Sequence, residues 1–257
     1  VALFDEVAAL TPEQLAALPV DDYARLKAII ELEHDIYRKT LLYRAYPDTG
    51  PLRRELYPKH LAHFAAGATY QERALVGGNR SGKTFGCSYE CALHLTGWYP
   101  HWWVGRKFDR PVTMWAAGED TKAVRESLQV TYLGPTGDHG TGLIPADNII
   151  KATPRPGVPD AVDSVTVKHL SGGVSRMLFK SYDQGRESFQ AAKIDIMQFD
   201  EEPPLDIYSE GLTRTLSTVP GQPSGLVICG FTPLRGLSAV VLSFMPGGAR
   251  LEGEVKS

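Results

Sequence analysis

The sequence predicts an α/β fold, an open and mostly parallel sheet with helices on both faces. Three observations carry that expectation. A short apolar run, Ala74-Leu75-Val76, enters a glycine-rich turn and is followed by a helical pattern over 85–95. A second apolar run over 194–199 stops abruptly at Asp200-Glu201-Glu202. Around them, strand-like runs (112–117, 225–231) alternate with helical ones (121–129, 207–218), as in a parallel sheet with helical crossovers. In such sheets the ligand sits at the carboxyl ends of the strands.

The turn itself carries chemistry. Gly77, Gly82, Lys83 and Thr84 satisfy G-x-x-x-x-G-K-[ST], with Gly78, Asn79, Arg80 and Ser81 between them. Glycines let the backbone curl so that its N–H groups point at phosphate oxygens, and the following helix presents its positive end to the same anion. Lys83 is placed to reach the β- and γ-phosphates of ATP, and the Thr84 hydroxyl to ligate Mg²⁺. The acid-tipped strand has the Walker B arrangement. Asp200 is expected to hold the magnesium water shell and Glu201 to polarise the attacking water. Glu202 takes that second role if the strand ends one residue later. The fold is therefore expected to be a P-loop NTPase of the RecA/ASCE-like kind.

Bulk properties bound the rest. A chain of 257 residues can bury a sizeable core. No apolar stretch approaches the length of a membrane span, and residues 1–10 carry acids without the basic start of a signal peptide. The three cysteines, Cys87, Cys91 and Cys229, are too few and scattered for a disulfide framework or a zinc site. A formal net charge of −3 argues against a surface that grips nucleic acid all over.

In chain order, residues 1–50 are expected to form a helical appendage and 51–257 the ATPase domain. Thr11-Pro12-Glu13-Gln14 reads as a capping box. Leu15 and Leu18, then Tyr23, Leu26, Ile29, Ile30 and Tyr37, recur at helical spacing. They fit a helix packed on the core or, less readily, one docking a partner. Residues 47–51 are a turn. A helical pattern over 53–66 leads into the loop strand, and Tyr57, His60 and Gln71 are candidates for contact with the base. The aromatic cluster over 98–103, with Arg106, Lys107 and Arg110 after it, reads first as a packed corner and second as a base-stacking surface. Asp120 or Thr121 caps the next helix. Residues 134–159 read as a long Gly/Pro-rich excursion, and 164–179 as a β-hairpin around Ser171-Gly172-Gly173. Thr232, at the tip of the strand beside Walker B, is placed to sense the γ-phosphate.

Four segments, 77–84, 181–190, 198–204 and 229–233, together resemble the ATPase half of phage large terminases. The resemblance covers about residues 55–240, and its weight lies in the ordered set of motifs. It implies a motor that couples ATP hydrolysis to translocation of double-stranded DNA into a procapsid, in the cytoplasm of an infected bacterium. The implied partners are a portal protein, a small terminase subunit and further copies of the chain in a ring; the isolated domain is expected to be monomeric. Family members usually carry a nuclease domain after the ATPase. This chain stops before one could begin, so nuclease activity is not expected of it. Arg80 matches an arginine the family places in the phosphate loop, and Arg186 one shortly before Walker B; either could act as an arginine finger. The family's coupling motif falls on Thr232. His60 stands where the family often has an adenine-reading glutamine.

Two other classes compete. A helicase-like ATPase would need a second RecA-like domain, for which the chain has no room. A nucleotide-binding module without turnover would not need a carboxylate such as Glu201.

Overall fold

The computed structural model describes Thr11, Gln14 and residues 19–245, apart from 191, 235 and 237. Within them the chain opens with helix α1 (Val20–Lys39) and one helical turn, α2 (Leu41–Arg44). Helix α3 (Pro58–Ala66) then feeds β1 (Glu72–Val76), and the phosphate-loop turn opens directly into α4 (Lys83–Thr96). Strand β2 (Thr113–Gly118) leads into a helix, α5, whose parts are Thr121–Ala123, the π-helical stretch Val124–Gln129 and Val130–Leu133. Strands β3 (Ile149–Pro154), β4 (Val162–Lys168), β5 (Val174–Ser181) and β6 (Ile196–Asp200) follow. Helix α6 (Leu205–Thr215), β7 (Leu226–Phe231) and α7 (Ala239–Phe244) complete the described chain.

The seven strands make one sheet in the order β1-β7-β6-β2-β5-β4-β3. Pairs from β1 to β5 are parallel, and β5-β4-β3 run antiparallel. Strand β7 thus lies between the strand that leads into the phosphate loop and the strand that ends in the acids. The central strands are buried on both faces, which explains their near-continuous apolar runs. One face packs Met114, Ala116, Met177, Phe179, Ile196 and Ile228 against Leu93, Leu95 and Leu128 of α4 and α5. The other packs Trp115, Met197, Phe199 and Cys229 against Ile207, Tyr208, Val240 and Val241 of α6 and α7.

Several expectations need correction. The excursion over 134–159 contains β3, an edge strand with one neighbour, a register shift and a terminal proline. An edge strand buries little, and its residues alternate too weakly to announce it. The hairpin over 164–179 is present as expected, β4 pairing antiparallel with β5; what the sequence did not show is that β5 also pairs in parallel with β2 and so extends the main sheet. The helix after β2 runs four residues past 129. Ahead of the turn at 47–51, Leu42 and Tyr46 are buried in the core cluster that holds Phe64 and Tyr89. Helix α1 buries none of its residues, and Tyr23, Ile29 and Tyr37 stand exposed rather than packed on the core. Its described ties to the rest include the Arg38 guanidinium on Asp138 at 2.6 Å and Arg44 of α2, which bonds the Tyr37 carbonyl and lies over the Tyr37 ring. Thr11 and Gln14 form the reciprocal bonds of the capping box; Leu15 and Leu18 lie outside the described residues.

Beneath α4 the core holds a charge. Arg73 on β1 and Glu90 on α4 are both fully buried and joined at 2.7 and 3.0 Å, and Arg73 also donates to the His63 carbonyl at 2.6 Å. Burial alone would raise the Glu90 carboxyl; the Arg73 charge and hydrogen bonds from His94 and Arg73 outweigh it and hold it at about 2. Because that value lies below the ordinary 4.5, the pair contributes fully above that pH and fades as pH falls towards about 2. Glu90→Ala leaves a buried guanidinium without its partner and is expected to cost about 3–5 kcal/mol. The urea midpoint at constant slope measures it, and a loss under about 1 kcal/mol would show that the core relaxes around the lone cation.

Candidate nucleotide-phosphate site

The loop between β1 and α4 is built from unusual backbone. Gly82, the residue before α4, has φ of 81°, which a glycine adopts without strain. Arg80 holds φ of 61° despite its side chain, at a cost of roughly 1–2 kcal/mol. A Cβ at Gly77 would approach the Ser81 hydroxyl to 2.9 Å, so the curl of the loop leaves no space there. Together these positions turn the chain back on itself and aim the start of α4 at the mouth of the loop.

Strands β1, β7 and β6 end side by side, and their tips converge on the loop. Lys83, 6% exposed, donates to the Gly78 carbonyl at 3.0 Å and to the Thr232 hydroxyl at 2.8 Å. That hydroxyl in turn lies 2.9 Å from the Gly77 carbonyl and 3.1 Å from the Asn79 side-chain oxygen. The Thr84 hydroxyl donates to Asp200 Oδ1 at 2.7 Å. Glu201 has φ of 64°, and its Oε2 lies 3.4 Å from the Thr232 N–H. Burial lifts the Asp200 carboxyl to about 6; the Thr84 bond draws it down, Glu201 pushes it up and Lys83 draws it down again.

A cleft of about 480 Å³ opens over the loop, lined by residues 79–85 with Ser127, Thr131 and Glu201. The structure therefore gathers Asn79, Arg80, Ser81, Gly82, Lys83, Thr84 and Glu201 at one surface, with Gly77, Gly78, Asp200 and Thr232 directly behind it. Glu202 is buried, lacks a hydrogen-bond partner on one oxygen and does not line the cleft, so the exposed carboxylate is Glu201. Two of the candidate residues lie outside the cleft. His60 is buried under the loop: its Nδ1 is 2.6 Å from the Tyr46 hydroxyl, and Cβ atoms at Gly82 or Gly86 would lie about 3.1 Å from its ring. It braces the loop from below and does not face the cleft. Arg186 also stands away from the cleft, 56% exposed, with its Nε on Glu210 at 2.9 Å. The short 3-10 turn Arg186–Phe189 lies against α6, which carries Glu210.

Phe85, Ser127 and Thr131 are the lining residues that sequence reasoning missed. The signal was present: Ser127 and Thr131 are four apart on the helix that leaves the carboxyl end of β2. The π-helical stretch that presents Ser127 has no signature in the residue pattern.

Residues of this kind fit a nucleotide phosphate with its magnesium. No cluster of three or more His, Cys, Asp or Glu among the described residues could hold a resident metal. Magnesium carried on phosphates needs only one or two protein oxygens, and the Thr84–Asp200 pair supplies them. The glycine loop, the lysine at the helix start, the hydroxyl–carboxylate pair and the interposed β7 define a P-loop nucleotide-binding domain. Comparison with known proteins gives the family. The family model "terminase large subunit, T4likevirus-type, N-terminal" matches residues 74–249, and the chain belongs to that family. The terminase large subunit of Salmonella phage P22 is 38% identical over 234 residues, which is 83% of this chain and 44% of that protein. The chain thus spans less than half the length of that relative. Among solved structures, the large terminase ATPase domain of Thermus phage P74-26 matches at 17% identity with a TM-score of 0.39, over 74% of this chain and 73% of that one. The large terminase of bacteriophage D6E in complex with ADP matches at 13% identity with a TM-score of 0.37, over 76% and 37%.

The Asp200 carboxyl sets a pH dependence for the nucleotide-free protein. Between its ordinary 3.8 and about 6 the folded chain binds more protons than the unfolded one, so stability falls as pH rises through that window. Asp200→Asn removes the buried charge, and the variant is expected to be the more stable form above about pH 6, by on the order of 3 kcal/mol. Near the lower end of the window the two should converge. Thermal melts across this range test it, and a parent chain as stable as the variant at neutral pH would contradict the assignment.

Proposed function

We propose that the chain is the ATP-hydrolysing part of a viral DNA-packaging motor, coupling Mg-ATP hydrolysis to translocation of double-stranded DNA into a procapsid. The observation that carries the hydrolytic reading is Glu201, a carboxylate at the cleft surface beside a complete phosphate loop. Membership of the terminase family supports the choice of DNA packaging over other P-loop ATPases. Lys83 and the loop N–H groups bind the β- and γ-phosphates; Thr84 and Asp200 are the residues that would hold magnesium, which would supply positive charge against them. Glu201 accepts a proton from the water that attacks the γ-phosphorus, and the bond to the leaving ADP oxygen breaks. Thr232, bonded at once to Lys83 and the loop, passes loss of the γ-phosphate to β7. Arg80 lines its own cleft and acts within its subunit.

Assembly follows the same reading. Copies of the chain form a ring on a portal protein, with a small terminase subunit delivering DNA, in the cytoplasm of the infected bacterium. Arg186 serves the neighbouring subunit; in support, it is half-exposed and lies outside its own cleft. Rings mixed from Arg186→Ala and Glu201→Gln subunits on a portal should then recover turnover that neither variant shows alone. No recovery at any ratio would confine Arg186 to its own subunit or to structure.

Phosphate release from ATP, with and without duplex DNA and portal, tests the whole proposal. Lys83→Ala is expected to abolish release and to weaken nucleotide binding sharply. Glu201→Gln should keep binding yet lose about 10² or more in rate, since the water loses its base. Parental turnover in Lys83→Ala removes the central claim. Parental turnover in Glu201→Gln leaves a nucleotide site whose base lies elsewhere.

A further inference from the structure

Glu201 presents its carboxylate from a left-handed backbone, φ 64°, which a residue with a side chain holds only where its surroundings over-determine it. Two clamps are visible. From β7, the Gly230 carbonyl accepts the Glu201 N–H at 2.9 Å. From the turn after β5, the Tyr182 hydroxyl lies 3.0 Å from the Asp200 carbonyl and 3.0 Å from the Glu201 carbonyl, with the Ala117 carbonyl at 3.4 Å. A phenol has one hydrogen to donate, so these carbonyls share it.

The clamp is itself anchored. Tyr182 opens the 3-10 turn Tyr182–Gln184, which Ser181 and Gln184 close as a capping box. The Ser181 hydroxyl is 3.1 Å from that of Thr121, at the start of α5, and the Asp183 N–H donates to the Glu119 carbonyl at 3.3 Å. The Tyr182 ring packs on Phe199, centroids 6.2 Å apart. Backbone and ring are thereby fixed to the tips of β2 and β6, and the hydroxyl has no freedom to turn elsewhere. Burial, with Asp200 close by, pushes the phenol well above its ordinary range, so it remains a donor at any working pH.

We propose that Tyr182 is a positioning residue for Glu201: its hydroxyl holds the backbone conformation from which the carboxylate reaches the cleft. The inference rests on the reading of Glu201 as the water-activating base. The Tyr182 hydroxyl bonds to backbone carbonyls only, whereas the phosphate-binding side chains Lys83 and Thr84 are held by the Gly78 carbonyl and the side chains of Thr232 and Asp200. Loss of the hydroxyl should therefore disturb turnover and spare binding. A role in stability alone would do the reverse, lowering the melting temperature while the rate per folded molecule stays.

The test is a double-mutant cycle of Tyr182→Phe and Glu201→Gln in the full chain, read by phosphate release at saturating ATP and by titration with a fluorescent nucleotide. Phenylalanine keeps the ring on Phe199, and nucleotide affinity reports that the domain has folded. Tyr182→Phe is expected to lower kcat at least about tenfold with nucleotide affinity within about twofold. On the Glu201→Gln background the same change should cost less than about twofold, because the group it positions is already gone. A ring-fluorinated tyrosine at 182, which keeps the O–H, should restore the rate. An unchanged kcat in Tyr182→Phe, where Glu201→Gln is inactive, overturns this inference alone, as does full multiplicativity of the two losses. Parental turnover in Glu201→Gln overturns the water-activating reading and this inference with it.

Discussion

Gly230 sits where β7 passes beneath the first turn of α4, and the site's geometry depends on its missing side chain. A Cβ there would lie 3.1 Å from the Cys87 sulfur, a tight approach that would press α4 away by a few tenths of an ångström, and in ordinary contact with the Lys83 Cβ at 3.6 Å. With glycine, α4 lies against the strand and Lys83 reaches Thr232, two residues further along β7. The same glycine pairs with Asp200 across the ladder and accepts the Glu201 N–H. One residue without a side chain thus sets the distance between the lysine and the two acids. The interposition of β7 follows from this: its tip is the one that faces both the loop and the acidic strand.

The electrostatics of the site fit a place prepared for a charged ligand. The Lys83 ammonium is satisfied by a carbonyl and a hydroxyl, neutral acceptors that an anionic phosphate would outcompete. Asp200, buried and lifted to about 6, is a carboxylate in want of a cation, and Thr84 supplies only a neutral donor. An incoming phosphate with magnesium answers both needs together. The left-handed backbone at Arg80 in the loop and at Glu201 beside it is strain of the kind that gathers at functional sites, where the surrounding structure holds it.

Much of this was legible in the residues. The phosphate loop, the acid-tipped strand and Thr232 each carry a pattern that geometry demands, and the structure brings the three together. What escaped has physical reasons. Strand β3 lies at the sheet edge and buries none of its residues, so neither face carries a buried apolar row to announce it. The hairpin was visible, but its second strand's parallel pairing with β2 is a long-range contact that no local pattern encodes. His60 occupies a position suggestive of base contact, yet an imidazole between Tyr46 and two glycines of the loop has its room fixed by packing. The stripe on α1 has helical spacing without a surface to meet it, since periodicity reports the helix and not what covers it. The ion pair of Arg186 with Glu210 has no local signature, because Glu210 lies 24 residues away, on a helix that folds back beside the turn.

The buried ion pair under α4 belongs to the same argument about position. Helix α4 carries Lys83 and Thr84 at one end and Glu90 two turns further on, so any slide along its axis would move the phosphate-binding groups with it. Apolar packing alone resists such a slide weakly, because methyl groups can exchange neighbours at little expense. A bidentate contact between Arg73 and Glu90, with a third bond to the His63 carbonyl, has a single geometry. Such a pair adds little net stability, since the desolvation of both charges offsets most of their attraction. Its effect is to key α4 to β1 and to α3 at one axial setting. His94, one turn further, continues the chain through Tyr99 to the Phe108 N–H, tying the aromatic corner to the same helix. The charges are where a domain that must hold a lysine within hydrogen-bond range of a phosphate has most need of a fixed register.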